Sequence, residues 1–132
     1  MYSKEILAGL LSWAVQLTSY SSPMEPPLVS YVPTTKLTEQ ACAGRHCGAL
    51  AWYDDHGHIL IDDRYRNQDT PFLRSLLVHE MVHYLQDISG HFHGDSCSDY
   101  RAREREAYAI QREFMARAMG RVAFIRMQFW AC

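Results

Sequence analysis

The sequence TPFLRSLLVHEMVHYLQDISG, residues 70–90, predicts one long helix. Thr70 supplies a capping hydroxyl, and Pro71 suits the first helical position because no N–H is needed there. Apolar residues recur at helical spacing between them and Gly90, which is a suitable helix stop. The apolar face comprises Leu73, Leu76, Leu77, Tyr84, Leu85 and Ile88.

Two histidines and a glutamate lie within this helix as His79-Glu80-Met81-Val82-His83. Residues four apart on a helix differ by about 40° in direction, so both imidazoles reach the same point in space. Two nitrogen donors held in this way form half of a tetrahedral zinc shell. Glu80 projects beside them, where it can act on a zinc-bound water without ligating the metal. The alternative is a pair of ordinary core or surface histidines beside an unremarkable glutamate.

A third ligand is expected on the next predicted helix, from about Asp99 to Met119. Its inward stripe contains Tyr100, Glu104, Ala107, Gln111, Phe114 and Ala118, with Glu104 as the only carboxylate. A buried carboxylate is costly unless it is paired or ligated. Glu104 is therefore the predicted third zinc ligand, with pairing to a buried arginine or tyrosine as the alternative. The pattern places Glu106 on a charged outward face with Arg103, Glu113 and Arg117.

Several other polar residues are candidates for the third zinc ligand or for a hydrogen-bond donor in catalysis. His91, His93 and Asp99 lie in or after the loop between the two helices and are weaker candidates for the third ligand. A peptidase also needs a hydrogen-bond donor near the developing oxyanion. Tyr100, Tyr108, His91 and His93 all qualify, and the sequence does not choose among them. Each of them also has an ordinary alternative as a core aromatic or a loop polar residue.

With these residues the chain resembles the gluzincin zinc metallopeptidases, and its length resembles their minimal single-domain members. That family completes H-E-x-x-H with a glutamate on a following helix, the position of Glu104, and has a polar residue four positions later. Tyr108 stands there instead of the usual aspartate or asparagine. The resemblance implies a zincin-like fold and zinc-dependent peptide hydrolysis, in which Glu80 activates a zinc-bound water. It also implies that Tyr108 supports a ligand histidine or, like Tyr100, the transition state.

The rest of the chain predicts an α+β fold in which a small, mostly antiparallel sheet packs against helices. The expected order is a helix of apolar residues between Ile6 and Leu17, a strand, a hairpin and three helices. The predicted strands are residues 28–32, 49–53 and 58–62, residues 36–48 contain a helical turn, and residues 122–130 form the last helix. In the family resembled, a strand beside the active-site helix binds substrate at a sheet edge, a role that residues 58–62 would take. Simple core packing is the alternative role.

Composition sets the remaining expectations. The 132 residues suit one domain spanning residues 1–132, and a net charge of −2 gives no bias toward nucleic acid. No apolar run approaches the roughly 20 residues of a membrane span. Residues 6–15 imitate a signal-peptide core, but their spacing favours an amphipathic helix.

Four cysteines allow two disulfides, with Cys42 and Cys47 as the natural local pair beside Cys97 and Cys132. Disulfides would slightly favour an exported protein, and reduced thiols are the alternative. The expected partner is a peptide or protein substrate. The competing functions are a non-catalytic zinc-containing binding module and a latent peptidase whose cleft is blocked by residues 122–132.

Overall fold

The computed structural model describes residues 2–44, 47–92, 94, 96–122 and 124–129. Those residues form an α+β fold with four α-helices and three strands. The elements are α1 (Lys4–Leu17), β1 (Leu28–Val32), α2 (Thr34–Cys42), β2 (Ala51–Tyr53), β3 (His58–Asp62), α3 (Pro71–Ser89) and α4 (Cys97–Met119). A short 3-10 turn, Asp63–Tyr65, follows β3.

The sheet has the order β1-β3-β2 and is mixed. The predicted hairpin is present, because β2 pairs antiparallel with β3 across a turn in which Asp55 and Gly57 have positive φ. However, β1 pairs parallel with β3, so the expectation of a mostly antiparallel sheet was wrong for this pairing. The chain passes through α2 and β2 between these two strands, and such a crossover allows β3 to run in the same direction as β1.

The position of β3 also corrects its expected role. β3 is the central strand and is paired on both sides, so it has no free edge at which a substrate could be added. Ile59 and Ile61 of β3 are buried in the core, as the alternative interpretation had it. Among the described residues, β2 has an edge that is unpaired with another strand, here called the free edge, and β2 packs against α3.

Helix α3 runs through the centre of the molecule and has the predicted ends. The Thr70 hydroxyl accepts a hydrogen bond from the Leu73 N–H at 3.1 Å, and Gly90 ends the helix with a φ of 68°. The helix packs against α1, α4 and β2. As predicted, α1 is amphipathic, and it buries Leu10 and Ala14 against α3.

Two predictions of helical structure need correction, one for residues 36–48 and one for residues 122–130. α2 begins at Thr34 and ends at Cys42, which is longer than the single turn expected within residues 36–48. The predicted helix over residues 122–130 was wrong, because residues 121–122 and 124–129 contain no helix. Gly120 ends α4 in a left-handed conformation, and Val122, Phe124 and Met127 then lie exposed, so this apolar run does not bury a helical face.

Three of the four cysteines lie in the described part of the chain and are disulfide-bonded. Cys42 and Cys47 form the predicted local disulfide. Cys97 is also disulfide-bonded, and Cys132 lies outside the described residues. Across the described part of the chain, no helix combines the length and apolar character that crossing a lipid bilayer requires.

Candidate metal centre

Three side chains from α3 and α4 meet at one point. The Nε2 atoms of His79 and His83 are 3.2 Å apart, and His79 Nε2 is 3.5 Å from Glu104 Oε2. His83 Nε2 is in direct contact with Glu104 Oε1. One donor atom from each residue lies within 4.8 Å of the other two. The structure therefore brings together the three residues that the sequence selected.

The stripe on α4 explains why Glu104 points at the histidines. Glu104, Ala107, Gln111 and Phe114 are all buried, as the spacing predicted, and α4 packs along α3. Residues three and four apart share a face of a helix. The face of α3 that carries His79 and His83 therefore meets the face of α4 that carries Glu104.

Each histidine forms a hydrogen bond to a glutamine through Nδ1, the ring nitrogen that faces away from the cluster. His79 Nδ1 donates to Gln111 Oε1 at 2.9 Å, and His83 Nδ1 donates to Gln86 Oε1 at 2.8 Å. The amide orientations follow from their other bonds. Gln86 Nε2 donates to the Arg103 carbonyl and to Glu106 Oε1, both at 3.0 Å. Both partners are acceptors only, so Oε1 of Gln86 faces the imidazole.

The amide orientation of Gln111 also follows from its other hydrogen bonds. Gln111 Nε2 donates to the Ser75 hydroxyl at 3.1 Å, and that hydroxyl donates to the Phe72 carbonyl at 2.7 Å. In both histidines Nδ1 therefore carries a proton, so the neutral form of each ring has its lone pair on Nε2, the atom that faces Glu104 and the other imidazole. This is the tautomer that a metal ligand requires.

The donor set and its dimensions fit a zinc ion. Two imidazole nitrogens and one carboxylate form a common three-ligand set of catalytic zinc sites, with ligand bonds of about 2.0–2.2 Å. Tetrahedral ligands at such distances lie about 3.3 Å from each other. The two separations at His79, 3.2 and 3.5 Å, lie on either side of that value, whereas His83 Nε2 and Glu104 Oε1 lie closer together than this.

The members of the cluster shift each other's pKa values. Burial acts to raise the pKa of Glu104, but the imidazoles of His83 and His79 lower it well below its ordinary value. Burial acts to lower the pKa of His83, but the Glu104 carboxylate and the Glu80 charge raise it to about 9. In the metal-free protein, a proton on His83 therefore partly fills the role of a cation between these groups.

Glu80 lies next to the cluster but is not one of its three members. It is only 6% exposed, and its Oε2 accepts a hydrogen bond from the Tyr53 N–H of β2 at 3.1 Å. Burial raises its pKa, although the neighbouring His79 and His83 act against this rise. A buried carboxylate with a raised pKa is suited to accept and return a proton near neutral pH.

The cluster opens into a cavity of about 920 Å³. Part of its wall is formed by His79, Glu80, His83 and Glu104. Other parts are formed by β2 and by residues 124, 125, 126 and 128. Tyr100 and Tyr108, the aromatic candidates for oxyanion donors, also line it.

Tyr108 packs its ring against that of His79, with centroids 4.4 Å apart. It does not donate to a ligand histidine in place of the family's aspartate, since its hydroxyl bonds to the backbone of Gln128. That hydroxyl has a pKa raised to about 12, mainly by burial.

The weaker candidates lie apart from this cluster. His91 packs its ring against Tyr20 and Phe92, and Asp99 lies in the first turn of α4; neither belongs to the metal-binding group found among the described residues. His93 lies outside the described residues.

The outward position predicted for Glu106 was wrong. Its Oε1 accepts from the Tyr20 hydroxyl at 2.6 Å as well as from Gln86, and both it and Arg103 are half-buried. Of that predicted face, Glu113 and Arg117 are exposed, and they form an ion pair with each other. Tyr20 follows α1 and adds a contact that the periodicity of a single helix does not reveal.

Gln86 and Gln111 are site residues that were not predicted from the sequence. Gln111 carried a signal, because it is an uncharged polar residue on a buried stripe. Gln86 lies three residues after His83, on the neighbouring turn of the same helix.

Comparison with known proteins adds no relative to this description. No protein-family model matches the chain, and neither a curated protein nor a solved structure matches it.

Proposed function

We propose that this chain is a zinc-dependent metallopeptidase in which His79, His83 and Glu104 hold the metal and Glu80 acts as the general base. The observation that carries the proposal is the convergence of three zinc-type donor atoms within 4.8 Å on the wall of an open cavity. A buried site that served only for structure would have no need of the cavity. Bound zinc would polarise a peptide carbonyl and lower the pKa of water.

The protein groups around the metal have separate tasks. Gln86 and Gln111 orient the two imidazoles through Nδ1. Glu80, with its pKa raised by burial, takes a proton and delivers it to the departing amine. The free edge of β2 forms part of the cavity wall, where an extended peptide would align by main-chain hydrogen bonds.

The second candidate function is a non-catalytic zinc protein. It is favoured by the hydrogen bond between Glu80 Oε2 and the Tyr53 N–H, because this bond gives the glutamate a structural task of its own. In that case Glu80 would join α3 to β2 and take no part in chemistry.

Glu80→Gln separates the two candidates, because glutamine keeps an acceptor for the Tyr53 N–H but cannot take a proton. We expect the variant to retain one zinc per chain by elemental analysis and to lose peptide hydrolysis by at least about 100-fold. Glu113→Gln, at an exposed position on α4, is the matched control and should hydrolyse a peptide library like the wild type. If the zinc-loaded wild type cleaves no peptide, or if Glu80→Gln cleaves as fast, the peptidase proposal fails.

A further inference from the structure

The C-terminal segment, here residues 124–129, forms one wall of the cavity that contains the candidate metal centre. It has neither helical nor strand structure. The cavity is lined by four of its residues: Phe124, Ile125, Arg126 and Gln128. Part of the cleft that would receive a substrate is therefore formed by a piece of the protein's own irregular chain.

One tyrosine binds the main chain of this segment. The Tyr108 hydroxyl accepts a hydrogen bond from the Gln128 N–H at 2.9 Å and donates one to the Gln128 carbonyl at 3.2 Å. Both bonds are to backbone groups of a single residue, so they do not depend on which side chain that residue carries. The Tyr108 ring packs against His79. A point that binds peptide backbone thus lies beside a candidate metal ligand.

The segment also makes aromatic contacts through Phe129. The Phe129 ring packs edge-on against Tyr100 with centroids 6.5 Å apart, and the Arg101 guanidinium lies 5.9 Å from the Phe129 ring centre. Phe124 is fully exposed. Neutral hydrogen bonds each add little net stability, so the backbone contact at Tyr108 can be exchanged for that of another peptide.

We propose that residues 124–129 are a built-in competitor for peptide substrate, held in the cleft by Tyr108 acting as a backbone-binding positioning residue. An external peptide in an irregular or extended conformation takes the place of the segment at Tyr108 before it reaches the metal centre. The inference rests on the proposed peptidase function, since it describes the regulation of the same site. It explains how a small domain has both an assembled cluster and a partly filled cleft.

Two substitutions at one position isolate the backbone contact. Gln128→Pro removes the N–H that donates to Tyr108, whereas Gln128→Ala retains both backbone groups and changes only the side chain. Gln128 lies outside all helices and strands, and thermal unfolding of both variants checks that the domain is intact. Phe129→Ala, which removes the contacts with Tyr100 and Arg101, is a second, independent way to release the segment.

The probe is an acetylated and amidated peptide with the sequence of residues 124–129, titrated into zinc-loaded protein that also carries Glu80→Gln. With Gln128→Pro or Phe129→Ala, we expect the peptide to bind about 2- to 12-fold more tightly than with Gln128→Ala, which is the ratio for the loss of one ordinary hydrogen bond. Equal dissociation constants in all three, or no binding to any, would overturn the inference.

The same variants with Glu80 intact keep the two proposals apart. We expect kcat/KM for peptide hydrolysis to be higher by the same factor in Gln128→Pro than in Gln128→Ala, whereas the exposed control Glu113→Gln should stay at the wild-type value. Binding that differs as expected without any hydrolysis would support the competitor and reject the peptidase. Hydrolysis by all variants at one rate would reject the competitor and leave the peptidase standing.

Discussion

At the scale of single residues, the two glutamines determine which imidazole nitrogens face the cluster. Gln86 and Gln111 accept from Nδ1 of His83 and His79, and each has its own amide nitrogen bound to fixed acceptors. The imidazole rings are thus oriented within the protein before any metal binds. Such supporting bonds typically change metal affinity by about 10- to 100-fold when they are removed.

Gln111 gives the first prediction at this scale. Gln111→Leu removes the acceptor for His79 Nδ1, so zinc affinity measured by competition with a chromophoric chelator should fall about 10- to 100-fold. Gln111→Glu keeps an acceptor of the same length, and the Ser75 hydroxyl can turn to donate to it, so its affinity should stay at or above that of the wild type. Equal losses in both variants would mean that packing, and not the hydrogen bond, sets the affinity.

A second residue-scale prediction concerns pH in the metal-free protein. The pKa of His83 is raised from 6.5 to about 9 in the folded state, so its contribution to stability is complete below pH 6.5 and is lost as pH rises through 9. The pKa of Glu104 is lowered from 4.5, so its contribution is present above pH 4.5 and is lost in acid. The free energy of unfolding due to this pair should therefore be highest between pH 4.5 and 6.5.

Urea unfolding of chelator-treated protein at stepped pH measures this dependence. The wild type should lose stability between pH 6.5 and 9, and Glu104→Gln should lose much less over that range, because the carboxylate that raises the His83 pKa is gone. A fall of the same size in Glu104→Gln would show that another group titrates.

At the scale of elements, the sequence predicted well what local signals control. The ends of α3 follow from the Thr70 hydroxyl, Pro71 and Gly90, which act within one turn of the helix. The inward direction of Glu104 follows from the three-and-four spacing along α4. The β2–β3 hairpin follows from a short polar turn with residues that tolerate positive φ.

Features set by distant contacts were not predictable in this way. The parallel pairing of β1 with β3 joins residues about 30 apart, and no local pattern determines it. The half-buried state of Glu106 depends on Tyr20, which is brought in by α1. The apolar run after Gly120 suggested a helix, but residues 124–129 instead contact Tyr100 and Tyr108 of α4 without regular structure, and no local pattern reveals those contacts.

The free edge of β2 has a definite set of backbone groups. The Asp62 N–H donates to the Leu50 carbonyl and the Asp54 N–H to the His58 carbonyl, so even-numbered residues of this strand face β3. Ala51 and Tyr53 therefore direct their N–H and C=O groups away from β3. The Tyr53 N–H is bound to Glu80, which leaves Ala51 as the residue that would pair with a substrate.

Ala51→Pro tests this pairing, because it removes an edge N–H without removing a hydrogen bond to β3. We expect kcat/KM for peptides to fall about 3- to 10-fold, as for the loss of one hydrogen bond, while zinc content stays at one per chain. Trp52→Pro is the matched control: its N–H faces β3, so this variant should lower the thermal midpoint more than Ala51→Pro does. Unchanged kcat/KM in folded Ala51→Pro would mean that substrate does not pair with β2.

At the scale of the whole molecule, the candidate metal centre lies between the two helices that line the cleft. α3 supplies His79, Glu80 and His83, α4 supplies Glu104, and β2 and the C-terminal segment form other parts of the cavity wall. A ligand that binds only the folded state stabilises it according to its concentration and affinity. Zinc should therefore raise the thermal unfolding midpoint of the wild type and leave that of His83→Ala nearly unchanged.

Anomalous diffraction at the zinc edge, on crystals of the zinc-loaded protein, tests the central claim most directly. We predict one peak per chain, about 2.0–2.2 Å from Nε2 of His79, from Nε2 of His83 and from the Glu104 carboxylate, with the remaining position open toward the cavity. A peak located elsewhere, or a fourth protein ligand that closes the position next to Glu80, would contradict the account.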